Sequence, residues 1–301
     1  MKTLEQAHQE FNYEQLIQEQ LVGQPNAVNA YIECCQRYVG LQKTALIWEG
    51  KNGESEQWSF EQLDVASAQL ANYFKSIGIQ VGDCIAGLLP RTPELLITIL
   101  ATWRIGAIYQ PLFTAFESKA IEHRVLTANT KLIVTNAEQR PKLNHVEVKH
   151  ILTVNAGTNL ASNEADFWQE AKQQSDQCEA VLRSFDDDFL MMFTSGTTGL
   201  AKSVPVPLKA VLAFKGYMQH AVDLREDDSF WNLADPGWAY GLYYGITGPL
   251  SLGHSIIMDE RAFSVDHAVE VIKKYRVSNL TGSPTAFRMF FGFKEKFDPS
   301  I

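Results

Sequence analysis

Apolar residues recur at helical spacing in Leu63, Ala66, Leu70, Ala71 and Phe74, and Gly78 follows as a stop, which predicts an amphipathic helix over 60–77. Beyond it, short apolar runs alternate with helical periodicity. Cys84–Leu89 reads as a buried strand, Thr92–Ile105 as a helix after a Pro-Arg-Thr-Pro turn, Ala107–Leu112 as a strand and Ser118–Leu126 as a helix. Lys131–Thr135 and His150–Val154 read as further strands. From 155 to 184 the chain turns polar and predicts a loop with one surface helix; Phe189–Phe193 is then a strand. The same alternation continues with a helix at Leu208–Ala221, strands at Phe230–Leu233 and Ser255–Met258, and a helix at Val265–Tyr275. A strand at Asn279–Gly282 leads into a last helix from Pro284.

Strands alternating with helices imply an α/β fold of layered, mainly parallel sheets flanked by helices. No repeat or low-complexity tract interrupts residues 31–301, so two α/β subdomains of one unit are expected, meeting near 190–230 with a ligand crevice between them. Residues 1–30 carry many Gln and Glu and few aromatics, and are expected as an extension wrapped on the surface.

Candidate chemistry concentrates after Phe193. Thr194-Ser195-Gly196-Thr197-Thr198-Gly199-Leu200-Ala201-Lys202 holds four hydroxyls, two glycines and one cation. Glycines let backbone N–H groups turn toward an anion, hydroxyls donate further hydrogen bonds and the lysine supplies charge, so the stretch reads as a phosphate cradle. A Walker loop is one alternative, but it must run straight into a helix, whereas Ser203-Val204-Pro205-Val206-Pro207 forces extended backbone. The flanks therefore predict strand, loop, strand. A polar surface turn is the other alternative.

The loop resembles the T-S-G-[ST]-T-G-x-P-K-G phosphate loop of adenylate-forming enzymes, of which acyl-CoA synthetases are one branch. The resemblance extends to Trp58–Phe74, to Gly82-Asp83 through Arg91, to Arg104–Phe113, to Asp235-Pro236-Gly237-Trp238 and to Gly282–Arg288, covering roughly residues 30 to 290. Three positions depart from the pattern: Ala201 stands where proline is usual, Ser203 where glycine is usual, and Val206 near where many members carry histidine.

The resemblance implies an acyl-CoA synthetase of acetyl- to medium-chain type, acting on a small carboxylic acid with ATP, Mg²⁺ and coenzyme A. It implies that Thr194, Ser195, Thr197, Thr198 and Lys202 hold the β- and γ-phosphates, with Lys202 and Thr194 stabilising charge during reaction and Gly196 and Gly199 shaping the loop. Trp238, with Ala239, Tyr240 and Gly241, would line the acyl or pantetheine tunnel; a core aromatic under a Gly-rich turn is the other reading of Trp238. Members run well past 500 residues and carry a Mg²⁺-holding glutamate, a ribose-binding aspartate and a small C-terminal domain with a catalytic lysine, none of which is found here. The 301 residues are therefore expected to be the front part of a synthetase, without carboxylate-dependent pyrophosphate release of their own. A nucleotide-binding or partner-binding remnant is the alternative.

Composition narrows the field. The formal net charge of −9 argues against a nucleic-acid partner. The longest apolar run, Leu95–Trp103, is too short to span a bilayer and Met1–Gln6 lacks an apolar leader, so a cytoplasmic, soluble enzyme is expected. Cys34, Cys35, Cys84 and Cys178 show no zinc spacing and read as structural filler; no metal ligands are assigned. His145 and His150 are expected on opposite faces of one strand, and neither His123 nor His254 is assigned a catalytic role. Asp186-Asp187-Asp188 reads as a solvated turn, and Lys273, Lys274 and Arg276 as cations at a helix end.

Overall fold

A computed structural model describes residues 3–10, 12–158, 160–194 and 200–293. Two short helices, α1 (Leu4–Glu10) and α2 (Tyr13–Gln20), precede α3 (Ala30–Cys34). Although this segment is rich in Gln and Glu, Ile17, Leu21 and Val28 are buried in the main core. Val28 and Arg183 exchange backbone hydrogen bonds of 2.9 Å, and the buried Asn29 amide donates to Trp103 O at 2.7 Å and Val181 O at 2.8 Å.

A hairpin of β1 (Thr44–Glu49) and β2 (Ser55–Ser59) follows, absent from the sequence-based expectation. The Asn52-Gly53 pair, with Gly53 at φ +93°, is the turn signal that marks it. Helix α4 (Phe60–Ser76) matches its expected span. It starts at a reciprocal cap in which Ser59 Oγ accepts from Gln62 N and Gln62 Oε1 accepts from Ser59 N, an arrangement contributing about 1 kcal/mol. It ends where Gly78 takes φ +86°.

The central layer alternates as expected: β3 (Cys84–Leu88), α5 (Pro93–Arg104), β4 (Ile108–Pro111), α6 (Ser118–Thr127), β5 (Leu132–Asn136) and β6 (His150–Val154). β3 is buried throughout, and α5 buries every residue but Glu94, which explains its near-continuous apolar run. The polar stretch expected as loop and surface helix instead forms a short strand, β7 (Glu164–Asp166), and a helix, α7 (Phe167–Ala171), whose Phe167 and Ala171 are buried. Strands β8 (Asp188–Thr194) and β9 (Lys202–Pro207) complete a seven-stranded sheet in the order β7-β6-β5-β3-β4-β8-β9. Its neighbours are parallel except β8 and β9, and the prolines of β9 sit on the sheet edge, where a missing N–H costs least.

The remainder contains α8 (Ala210–His220), β10 (Phe230–Asn232), α9 (Ala239–Leu242), a π-helical turn at Tyr243–Thr247 and α10 (Gly248–Ser251). It continues through β11 (Ile256–Asp259), α11 (Val265–Tyr275), β12 (Asn279–Thr281) and α12 (Pro284–Gly292). β10 pairs in parallel with β12, and β11 with β1, so Leu46 lies beside Ile256. Lys274, expected only to complement a helix end, reaches β1 and binds the buried Glu49 at 2.6 Å. Asp186 and Asp187 pair with Lys209 and Arg183, while Asp188 opens β8.

Two buried charge clusters pin the N-terminal segment. Arg104 bonds Asp64 at 3.0 Å and lies over the Tyr31 ring at 4.3 Å, with the Tyr31 hydroxyl also donating to Asp64. Glu33, fully buried, accepts the N–H groups of Val22 and Gly23 at 2.9 Å each and Arg37 Nη1 at 2.8 Å, and forms an ion pair with Lys215 at 3.6 Å. The Lys215 ammonium also donates to Gln20 O.

Burial, with Arg37 nearby, pushes Lys215 down from the ordinary 10.5 to about 8. Between those values the unfolded chain binds the extra proton, so this group's contribution to stability rises with pH. Relative to Lys215→Met, the unfolding free energy of the native chain should climb by on the order of 2 kcal/mol from pH 8 to pH 10 in parallel urea titrations. A difference independent of pH would contradict the assignment.

Candidate active site

The sheet delivers Thr194 at the end of β8 and Lys202 at the start of β9 as direct cross-strand partners, both exposed. Ser195, Gly196, Thr197, Thr198 and Gly199 lie outside the described residues. Because Lys202 opens a strand rather than a helix, the Walker geometry is absent. Val206, near the position where a histidine is common, is buried in the main core and so faces the protein interior.

Helix α6 contacts both arms of this hairpin. His123 Nε2 lies 2.8 Å from Ala201 O, and the next residue, Arg124, places its guanidinium 5.6 Å from the Phe193 ring centre and 4.1 Å from that of Phe116. Arg124 Nη1 donates to Ala120 O at 2.8 Å, while its buried Nε has no acceptor among the described residues. Desolvation holds the guanidinium below its ordinary value.

Phe116 in turn meets Trp238 edge-on at 5.5 Å, and Phe113 packs on Trp238 at the same distance. Trp238 is 43% exposed, so it forms a wall with one open side. A chain of rings and one cation thus connects β8 to the turn at 235–238. That turn is tight: Asp235 Oδ1 accepts from Gly237 N at 2.7 Å, and a Cβ on Gly237 would stand 2.7 Å from the Phe113 backbone. A Cβ on Gly241 would collide with the Asp235 carbonyl, so both positions need glycine for close approach. Desolvation pushes the Asp235 carboxyl up, against the pull of the Gly237 N–H and Arg91.

Ala239, Tyr240 and Gly241 form the first turn after Trp238. The Tyr240 ring packs at 5.4 Å on Tyr244, which stacks on Tyr217 at 4.0 Å, giving a cluster of three tyrosine rings after the turn. Burial raises the Tyr240 hydroxyl above the ordinary tyrosine value. A surface groove of about 390 Å³ lies between Trp58 and Trp168 and includes none of these residues.

The exposed cation and hydroxyl at the hairpin base fit an anionic phosphate chain. Among the described residues no group of three or more His, Cys, Asp or Glu side chains converges as a metal cage. The four cysteines are buried and unpaired by disulfides; burial pushes Cys84 up to about 12, away from thiolate chemistry. His145 falls in the turn after Arg140–Leu143 rather than on the strand with His150, because the apolar alternation there stops short of β6. His123, Arg124, Phe113 and Phe116 were not assigned from sequence; the helical spacing of 118–126 and the Phe113–Phe116 pair after the Pro111-Leu112 step were the available signals.

These features define an α/β protein with an exposed Thr194–Lys202 pair on one hairpin and a half-open aromatic wall joined to it through α6. Residues 34–300 match the model of the AMP-binding enzyme family, and the chain belongs to that family. It is 33% identical to an acetyl-coenzyme A synthetase of Deinococcus radiodurans over 89% of this chain and 45% of that protein. With an acetyl-coenzyme A synthetase of Bacillus subtilis it shares 29% identity over 97% and 52% of the respective lengths. A crystal structure of a Brucella canis acyl-CoA synthetase superposes with a TM-score of 0.94 and 47% identity, over 97% of this chain and 54% of that one. The chain thus spans about half the length of the relatives it matches. No helix among the described residues is long and apolar enough to cross a membrane.

Proposed function

We propose that this chain is the nucleotide-gripping part of an acid–thiol ligase that uses ATP to activate a small carboxylic acid and passes the acyl group to coenzyme A. The observation that carries this is the Thr194–Lys202 cross-strand pair, which frames the hydroxyl- and glycine-rich segment at the open end of the parallel sheet. Ligands of parallel α/β sheets bind at the carboxyl ends of the strands, and β8 delivers Thr194 at such an end.

In the first half-reaction a carboxylate oxygen bonds to the α-phosphorus as the bond to the bridging oxygen breaks, and pyrophosphate leaves carrying the developing charge. The Lys202 ammonium and Thr194 hydroxyl stabilise that leaving group, together with donors from Ser195, Thr197 and Thr198; one such donor is worth about 10²–10³ in rate. Trp238, with Ala239, Tyr240 and Gly241, borders the path of the acyl chain. When bound with the nucleotide, Mg²⁺ would neutralise charge on the phosphates beside Lys202 and Thr194, and coenzyme A would supply the thiol that accepts the acyl group.

Calorimetric titration with MgATP tests the reading. Saturable one-site binding that inorganic pyrophosphate competes away is expected, and no heat of binding up to several millimolar nucleotide would count against it.

A further inference from the structure

We propose that α6 acts as a brace for the hairpin that carries Thr194 and Lys202, with His123 the positioning residue that fixes the arm bearing Lys202. The inference rests on the nucleotide reading above. Three contacts support it. His123 Nε2 meets Ala201 O at 2.8 Å, one residue before Lys202; the acceptor is a carbonyl, so the ring must carry a proton on Nε2. Arg124, next on the same helix, lies over Phe193, one residue before Thr194. Gln110 Nε2 donates to Arg124 O at 3.1 Å, tying the end of the helix back to β4 in the same sheet.

Among the described hydrogen bonds, the tips of the two arms are otherwise held by each other. Thr194 and Lys202 form the last described pair of an edge ladder, and edge pairs fray first. Ala201 also lacks the ring that restrains a proline backbone, so its orientation depends on outside contacts. The brace supplies one to each arm from consecutive residues of one helix. Lys202, with no partner of its own among the described ion pairs, is then held by its backbone in place for an incoming anion.

Hydrogen exchange and MgATP titration on the native chain, His123→Leu and His123→Gln test this. Leucine removes the donor, whereas glutamine places an amide N–H at nearly the reach of Nε2. In His123→Leu, amides across 200–204 should exchange about five- to tenfold faster, with the rest of the sheet unchanged, and MgATP affinity should fall by a similar factor. His123→Gln should restore both to within about twofold. Exchange that does not change in His123→Leu, glutamine that behaves like leucine, or faster exchange with undiminished MgATP affinity would each overturn the brace. If the native chain binds no MgATP while the exchange pattern appears, the brace stands and the nucleotide reading falls.

Discussion

Replacing Lys202 with methionine should weaken MgATP binding about 10- to 150-fold while leaving the unfolding free energy within about 0.5 kcal/mol. The first figure is the loss of one charge-assisted contact to a phosphate, worth about 1.5–3 kcal/mol. The second follows from exposure: Lys202 sits at the solvent end of β9 and supports no core packing. Because the contact is near the surface, the native affinity should also fall with added salt, and the variant's should fall less. Calorimetry at two ionic strengths, paired with urea unfolding, separates these effects. A variant that binds as well as the native chain would remove Lys202 from the site; one that unfolds early would make it structural.

The largest stability effect is expected far from the hairpin. Glu33→Ala should cost about 3–5 kcal/mol, because it strands the buried Lys215 ammonium and leaves the N–H groups of Val22 and Gly23 without an acceptor. Removing both charges with Glu33→Leu and Lys215→Met should cost less than the two single changes summed, since the second change removes the ion that the first leaves uncompensated. Denaturant titration of Glu33→Leu, Lys215→Met and the double variant closes the cycle, with Glu33→Ala titrated beside them. Simple additivity, or a Glu33→Ala loss below about 1 kcal/mol, would mean that the cluster is wetter than its packing indicates.

Much of the fold was legible where local signals agree with burial. Helix α11 was expected at Val265–Tyr275 and occupies those residues, because Ser264 caps its first turn through His267 N and Arg276 takes the left-handed φ of 49° that ends it. The β1–β2 hairpin went unread because β2 is polar and largely exposed, which left only the short apolar run of β1 and the Asn52-Gly53 turn to mark it. The second helix was hidden by composition: Gln and Glu dominate residues 5–20, yet Ile17 and Leu21 anchor α2 against the core.

The candidate site divides in the same way. The hairpin and the Asp235–Trp238 turn were visible because glycine, proline and hydroxyl spacing restrict local backbone, and those restrictions operate on neighbours in sequence. The residues that join them, His123, Arg124, Phe113 and Phe116, act across the fold and resemble ordinary helix and loop positions until α6 is placed against β8 and β9. Lys274 shows the same limit. As a cation near a helix end it needs no partner, and only the pairing of β1 with β11 brings Glu49 within its reach.

A crystal of the chain grown with a non-hydrolysable ATP analogue tests the central claim most directly. The account predicts the triphosphate between the arms of the β8–β9 hairpin, with the Lys202 ammonium and the Thr194 hydroxyl in hydrogen-bonding contact with its β- or γ-oxygens. A triphosphate bound away from both residues would contradict it.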